Sequence, residues 1–220
     1  MGVTVAMMTI VALAGSGVYF GLKTLENYNP GRKKIQKDLA ALKIDLQPFF
    51  DDLVPWSEEE MAQLSLNTIR KKAAKRVVTT TKGIFTTIYH EPLIAWAYRR
   101  YVASKENALI YAKTSNHEFI YRIKKEMVEL VIDNALIGQI DNNGVLYATK
   151  GNKPLASLNK TREGQGFPIF IEGKEMGRLN DVTSASGITP RAFQMISQMD
   201  EEQEKLFLGL SILELIKGEI

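Results

Sequence analysis

Residues 131–142 read VIDNALIGQIDN, and residues 170–181 read FIEGKEMGRLND. The two stretches align without a gap. In each, an apolar pair leads to an acid (Asp133, Glu172) and a turn residue (Asn134, Gly173), then to apolar–Gly–polar–apolar, with Gly138 and Gly177 in the same place. Short apolar runs on either side of a turn read as β-hairpins. A glycine inside a strand marks a bulge or a close backbone approach. Two matching hairpins therefore predict a repetitive, meandering antiparallel sheet of the kind that closes into a barrel.

Working outward, residues 77–179 are rich in Val, Ile, Thr, Tyr and Phe, in short runs separated by turn residues. Strands are expected at 77–81, 84–89, 93–98, 109–113, 118–123, 127–132, 136–140, 145–149, 155–159, 169–171 and 176–179. Asn142-Asn143-Gly144 is a strong hairpin signal because Asn-Gly accepts positive φ cheaply. Downstream, Thr189-Pro190 reads as a cap with proline at the first helical position, and residues 200–203 can cap a further helix. That last helix, KLFLGLSILELIK at 205–217, is apolar around nearly its whole circumference, which predicts burial. It is short for a membrane span and carries Glu214, so its expected place is inside the β-structure.

Upstream, Ile35, Leu39, Leu42 and Leu46 recur at helical spacing with lysines opposite, an amphipathic helix that Pro48 ends. Ser57 followed by Glu60 is a capping box. It predicts a second helix with the stripe Ala62, Leu66, Ile69 and Ala73 and a basic end at Arg70, Lys71, Lys72, Lys75 and Arg76. Cations suit a helix C-terminus, and the cluster is also a candidate contact for anionic lipid or an acidic partner.

Residues 3–22 read VTVAMMTIVALAGSGVYFGL and hold no charge. Their length matches the roughly 20 residues that cross a bilayer as a helix. A cleaved signal peptide is the rival reading, but no Lys or Arg precedes the apolar run. Lys23, Arg32, Lys33, Lys34, Lys37 and Lys43 follow it. The positive-inside rule then puts the N-terminus outside and the C-terminal domain in the cytoplasm, at the inner membrane if the source is bacterial. Gly17 and Gly21 form a GxxxG that would let the span pack closely on another membrane helix. The expected organisation is an anchor at 1–24, a membrane-proximal helical segment at 25–76 and a β-rich domain at 77–220. The class is α+β: a transmembrane helix, two amphipathic helices, and a mainly antiparallel sheet or barrel enclosing a hydrophobic C-terminal helix.

The runs LVIDNALIGQI, IFIEGKEMGRL and the final LFLGLSILELI together resemble the tubby C-terminal-like fold, whose superfamily includes phospholipid scramblases and LURP-one-related proteins. The resemblance covers roughly residues 77–218. It implies a domain that binds lipid headgroups, proteins or a membrane surface. Scramblases carry their membrane segment at the C-terminus, with cysteine-rich and calcium-binding segments, and none of these is found here. Neither scrambling activity nor any family binding residue carries over.

The 220 residues include no cysteine, which excludes thiol chemistry, disulfides and cysteine-ligated metals. A net charge of +3 does not point to nucleic acid. His90 and His117 each precede a glutamate and sit among turn residues. There is no HExxH, no GxSxG and no phosphate loop, since Gly164-Gln165-Gly166 lacks the GK[ST] ending. No catalytic, cofactor-binding or metal-ligating set emerges, and neither a cofactor nor a small-molecule substrate is expected. The sequence thus points to a non-enzymatic, single-pass accessory or scaffold protein. Its expected partners are membrane lipids and other integral membrane proteins, in a hetero-oligomer. The alternative is a membrane-anchored lipid-binding or lipid-sensing module.

Overall fold

The computed structural model describes residues 27, 30–75, 78–101, 107–163, 166–181 and 190–220. Helix α1 spans Arg32–Leu46 and runs into a 3-10 turn, Gln47–Phe49; the short α2 spans Glu58–Gln63. Twelve strands follow: β1 Leu64–Lys75, β2 Val78–Thr87, β3 Pro92–Arg100, β4 Asn107–Lys113, β5 Glu118–Lys124, β6 Met127–Ile132, β7 Ala135–Ile140, β8 Val145–Ala148, β9 Pro154–Leu158, β10 Gly166–Ile171, β11 Lys174–Asn180 and β12 Phe193–Met195. Helix α3, Glu201–Glu219, ends the chain.

Each strand pairs antiparallel with its neighbours in sequence, so the sheet runs in order from β1 to β12. Its two edges meet where β1 begins. The Leu66 N–H donates to the Pro190 carbonyl, the Ala192 N–H donates to the Leu64 carbonyl, and Ser65 bridges Arg191. This seam brings the sheet close to a closed barrel, and closure removes edges that would otherwise offer unpaired backbone groups.

The barrel is filled by α3. An Asp200–Gln203 capping box starts the helix. Phe207, Leu208, Leu210, Ile212, Leu213, Leu215 and Ile216 are all buried among inward-facing strand residues such as Trp96, Tyr121, Leu130 and Ile169. The fit is tight: a Cβ on Gly209 would stand 2.9 Å from Leu130 Cδ2. Each fully buried Leu, Ile or Phe contributes roughly 1.5–3 kcal/mol, which adds to the good helix propensity of a segment rich in Leu, Glu and Lys. β3 and β4 are buried on both faces, because α1 covers them from outside. Leu42 and Leu46 pack on Ala95, Ala97, Leu109 and Tyr111 in a second apolar cluster.

The repeated hairpins stand as the sequence predicts. Leu130 pairs Gly138 and Val131 pairs Leu136, which leaves Ile137 as a bulge. Ile169 pairs Gly177 and Phe170 pairs Glu175, which leaves Met176 in the same role. Both turns hold two residues with positive φ, Asp133 and Asn134 (49° and 66°) and Glu172 and Gly173 (51° and 82°), the geometry whose twist suits a hairpin. Next to each bulge the glycine meets backbone: a Cβ would lie 1.9 Å from the Tyr147 carbonyl oxygen at Gly138, and 2.9 Å from that of Gln194 at Gly177.

Three expectations change. The helix predicted from Ser57 through Ala73 stops at Gln63, and Leu64–Lys75 is strand. Leu66 and Ile69 fit a helical stripe whereas Leu64 and Leu66 fit a period of two, and as a strand the latter pair reaches the barrel core while Ile69 stays 65% exposed. Pairing with β2 and the seam outweighs local helix preference. The expected strands at 77–81 and 84–89 are one, β2. The helix expected to open at Thr189-Pro190 gives way to β12, which β11 recruits as a partner.

The apolar run at 3–22, with Gly17 and Gly21, and also Arg76, lie outside the described residues. Among the described residues no helix is long and apolar enough to cross a membrane.

Candidate functional site

Strand alternation sorts the hairpin turns between the two ends of the barrel. At one end lie the exits of β1, β3, β5 and β7 and the last turn of α3; at the other lie α2, the turns at 114–117 and 133–134, and the start of α3.

Helix α1 orients the molecule. Asp38, with only 4% of its side chain exposed, accepts from the Tyr101 hydroxyl at 3.0 Å and pairs with Lys34 at 3.0 Å and Arg99 at 3.4 Å. Arg99 and Tyr101 mark the exit of β3. Five residues on, Lys43 reaches Glu118 at 2.5 Å, at the entry of β5. In register, Arg99 lies beside Leu109 and Arg122, whereas Glu118 lies beside Lys113, four residues along β4 from Leu109. So α1 begins at the end where β3 exits and runs toward the opposite end. The Arg122 guanidinium sits 5.4 Å over the Tyr101 ring and donates to Asn107 Oδ1 at 2.6 Å. Burial raises the Tyr101 hydroxyl's pKa, and the Asp38 carboxylate adds to it, so the phenol stays a donor.

A cavity of about 680 Å³ opens at this same end. Ile123, Val128 and Ile220 form its apolar part, with Thr79, Thr81 and Tyr98 beside them. Four cations line it, Arg100, Lys125, Lys160 and Lys217, against three acids, Glu126, Asp141 and Glu219. Lys217 is held by Glu214 at 2.7 Å, and Lys160 donates to the Asn142 carbonyl. Burial raises Tyr98, and the Arg100 charge partly offsets it. So mixed a lining does not select a polyanion. The excess positive charge of this end lies outside the cavity, on exposed Arg32, Lys33 and Lys37 in the first turns of α1.

The basic cluster predicted on a helix lies on β1 instead. Arg70, Lys71, Lys72 and Lys75 stand opposite Gly83, Lys82, Thr81 and Val78. Positions 70 and 72 share a row with cavity-lining Thr81, and positions 71 and 75 share the row of Lys82, so the cluster is divided between two rows. Asp38 and Tyr101 escaped sequence reasoning. The one signal was an acid on an otherwise lysine-rich helix.

The opposite end is acidic. His117 Nδ1 lies 2.7 Å from Asp133, whose other oxygen accepts from the Glu118 N–H at 2.9 Å. Burial works to raise Asp133, but that N–H and His117 outweigh it, and its pKa is lowered. Glu118 is lowered likewise, burial being outweighed by Lys43 and Lys113. His117 is tied into a turn by Thr114, whose hydroxyl accepts from the His117 N–H. His90 occupies a positive-φ position (67°) in the turn after β2. Among the described residues, no group of three or more His, Asp or Glu side chains could hold a metal ion.

Comparison with protein-family models, with curated proteins and with solved structures gave no match. The nearly closed antiparallel barrel with its C-terminal helix is compatible with a tubby-like architecture, and that compatibility is architectural.

Proposed function

We propose that this protein is a non-enzymatic, single-pass accessory or scaffold protein of a larger membrane complex, with its barrel standing on the bilayer by the basic end. One observation carries the reading. Helix α1 starts at the barrel end where the exit of β1, Lys125 and its own Arg32, Lys33 and Lys37 gather. In this reading the apolar run that precedes α1 in the chain approaches from that end, which suits anionic headgroups, where each Lys or Arg is worth about 1 kcal/mol. In this reading the run at 3–22 crosses the membrane, the domain lies on the cytoplasmic side, and Gly17 and Gly21 pack against a partner's span.

The test is mild detergent extraction from native membranes, followed by sizing and mass spectrometry of what co-migrates. Co-migration with a defined set of membrane proteins, lost on Gly17→Leu and Gly21→Leu, is the expected result. Migration alone or as a homo-oligomer overturns the complex.

A second reading, a lipid-binding or lipid-sensing module of tubby-like type, draws support from the barrel-and-helix architecture and from the cations on β1. It requires the basic end to touch lipid. The chain has no cysteine, so single cysteines can carry a dye. With the full chain in anionic bilayers, a dye at Lys125→Cys should be quenched by spin-labelled headgroups, and one at Glu58→Cys should not. Neutralising Arg70, Lys71, Lys72, Lys75 and Arg76 should weaken that quenching. Equal quenching at both positions, or no change on neutralisation, removes the lipid reading.

A further inference from the structure

We propose that the acidic end of the barrel carries a docking groove for an extended segment of a partner protein, one that presents an apolar side chain flanked by Lys or Arg. The groove, about 390 Å³, lies between α2 and residues 195–199, and Met61, Ala62, Met195 and Met199 line it. Ile196 on its lip is 49% exposed. Three methionines give an unbranched, polarizable lining that adapts to differently shaped apolar groups.

The charge around the groove selects the occupant. Glu58 and Glu59 on one wall are exposed, and neither has a cationic partner among the described residues. Asp200, Glu201 and Glu202 follow Met199, and Lys205 pairs with the last two at 2.7 and 3.1 Å. A membrane surface or an acidic chain would be repelled, whereas flanking Lys or Arg would gain on both sides of the apolar contact.

The walls are fixed. Ser57 caps α2 by accepting from the Glu60 N–H. The Trp56 indole N–H donates to Glu204 on α3, and the Trp56 backbone N–H donates to the Ser115 hydroxyl at 2.7 Å. Because α2 is a helix, β11 is the one strand partner of β12 among the described residues.

The test uses the full chain in detergent, with its eight methionine methyls labelled with carbon-13. The probe is a blocked heptapeptide with Leu at its centre and Arg two residues to either side; the control has Glu in place of Arg. Saturable shifts of the Met195 and Met199 methyls with the Arg peptide alone are expected. Glu58→Lys combined with Glu59→Lys, or Ile196→Asp alone, should weaken binding roughly tenfold, equivalent to about 1.4 kcal/mol. An unmoved Met127 signal would show that these variants remain folded. Shifts that fail to saturate, an equal response to the Glu control, or shifts that grow with protein concentration without peptide would each overturn the proposal. The last would mean that a second copy fills the groove.

Discussion

Hairpin turns close both ends of the barrel, yet the ends differ in charge and in what attaches there. One end receives α1 through a buried carboxylate, Asp38, set among Lys34, Arg99 and Tyr101. The other receives α2 and the start of α3 through an indole on a carboxylate, Trp56 on Glu204. Part of the charge difference needs no function. Acids in the first turn of α3 and Lys217 in its last are what a helix dipole favours. The entry of α1 at the less acidic end is independent of that dipole, and for this reason it, rather than charge alone, supports an orientation toward the membrane.

Removing the buried carboxylate should have the largest effect. Asp38→Ala strands Arg99 beside apolar surface and takes the acceptor from Tyr101. It should cost about 3 kcal/mol in a denaturant unfolding curve, in the range for breaking a buried pair. Tyr101→Phe removes the hydroxyl and leaves the ion pairs, so about 1 kcal/mol is expected. At the acidic end, Trp56→Phe keeps most of the packing and loses the bond to Glu204, for about 1.5 kcal/mol. If Trp56→Phe proved costlier than Asp38→Ala, the ranking of the two attachments would be reversed.

Legibility in the sequence follows the range of the interactions. The hairpins at 131–142 and 170–181 were readable because their bulges, turns and glycines are local requirements. At Gly138 a side chain would collide with the Tyr147 backbone whatever the rest of the chain did. The burial of α3 was readable because a helix apolar on all sides has no other soluble solution. β1 was not, because Leu66 and Ile69 fit a helical stripe while Leu64 and Leu66 fit a period of two, and the choice rests with β2 and with Pro190 and Ala192, more than 100 residues away. β12 is three residues long and exists through β11. The attachment of α1 was half legible: its apolar stripe was plain, whereas the value of Asp38 depends on Arg99 and Tyr101, which no spacing rule connects to it.

The smallest expected effect lies in acid. Glu118 and Asp133, both at the acidic end, have folded pKa values below their ordinary ones. A depressed carboxylate contributes stability that is full above its unfolded pKa, about 4, and is lost as pH falls through the folded value. Both groups are partly exposed, with side chains 26% and 41% accessible, so solvent screens their pairs and each change should stay within a few tenths of a kcal/mol. Unfolding midpoints measured from pH 6 down to pH 3 should fall less steeply in Glu118→Gln and in Asp133→Asn than in the parent, and least steeply in the double variant. The two effects should not add fully, because the Glu118 N–H donates to Asp133 and so couples the sites. An unchanged acid slope in the double variant would move the pH sensitivity away from this end, and with it the claim that the acidic end is held together by ionised carboxylates.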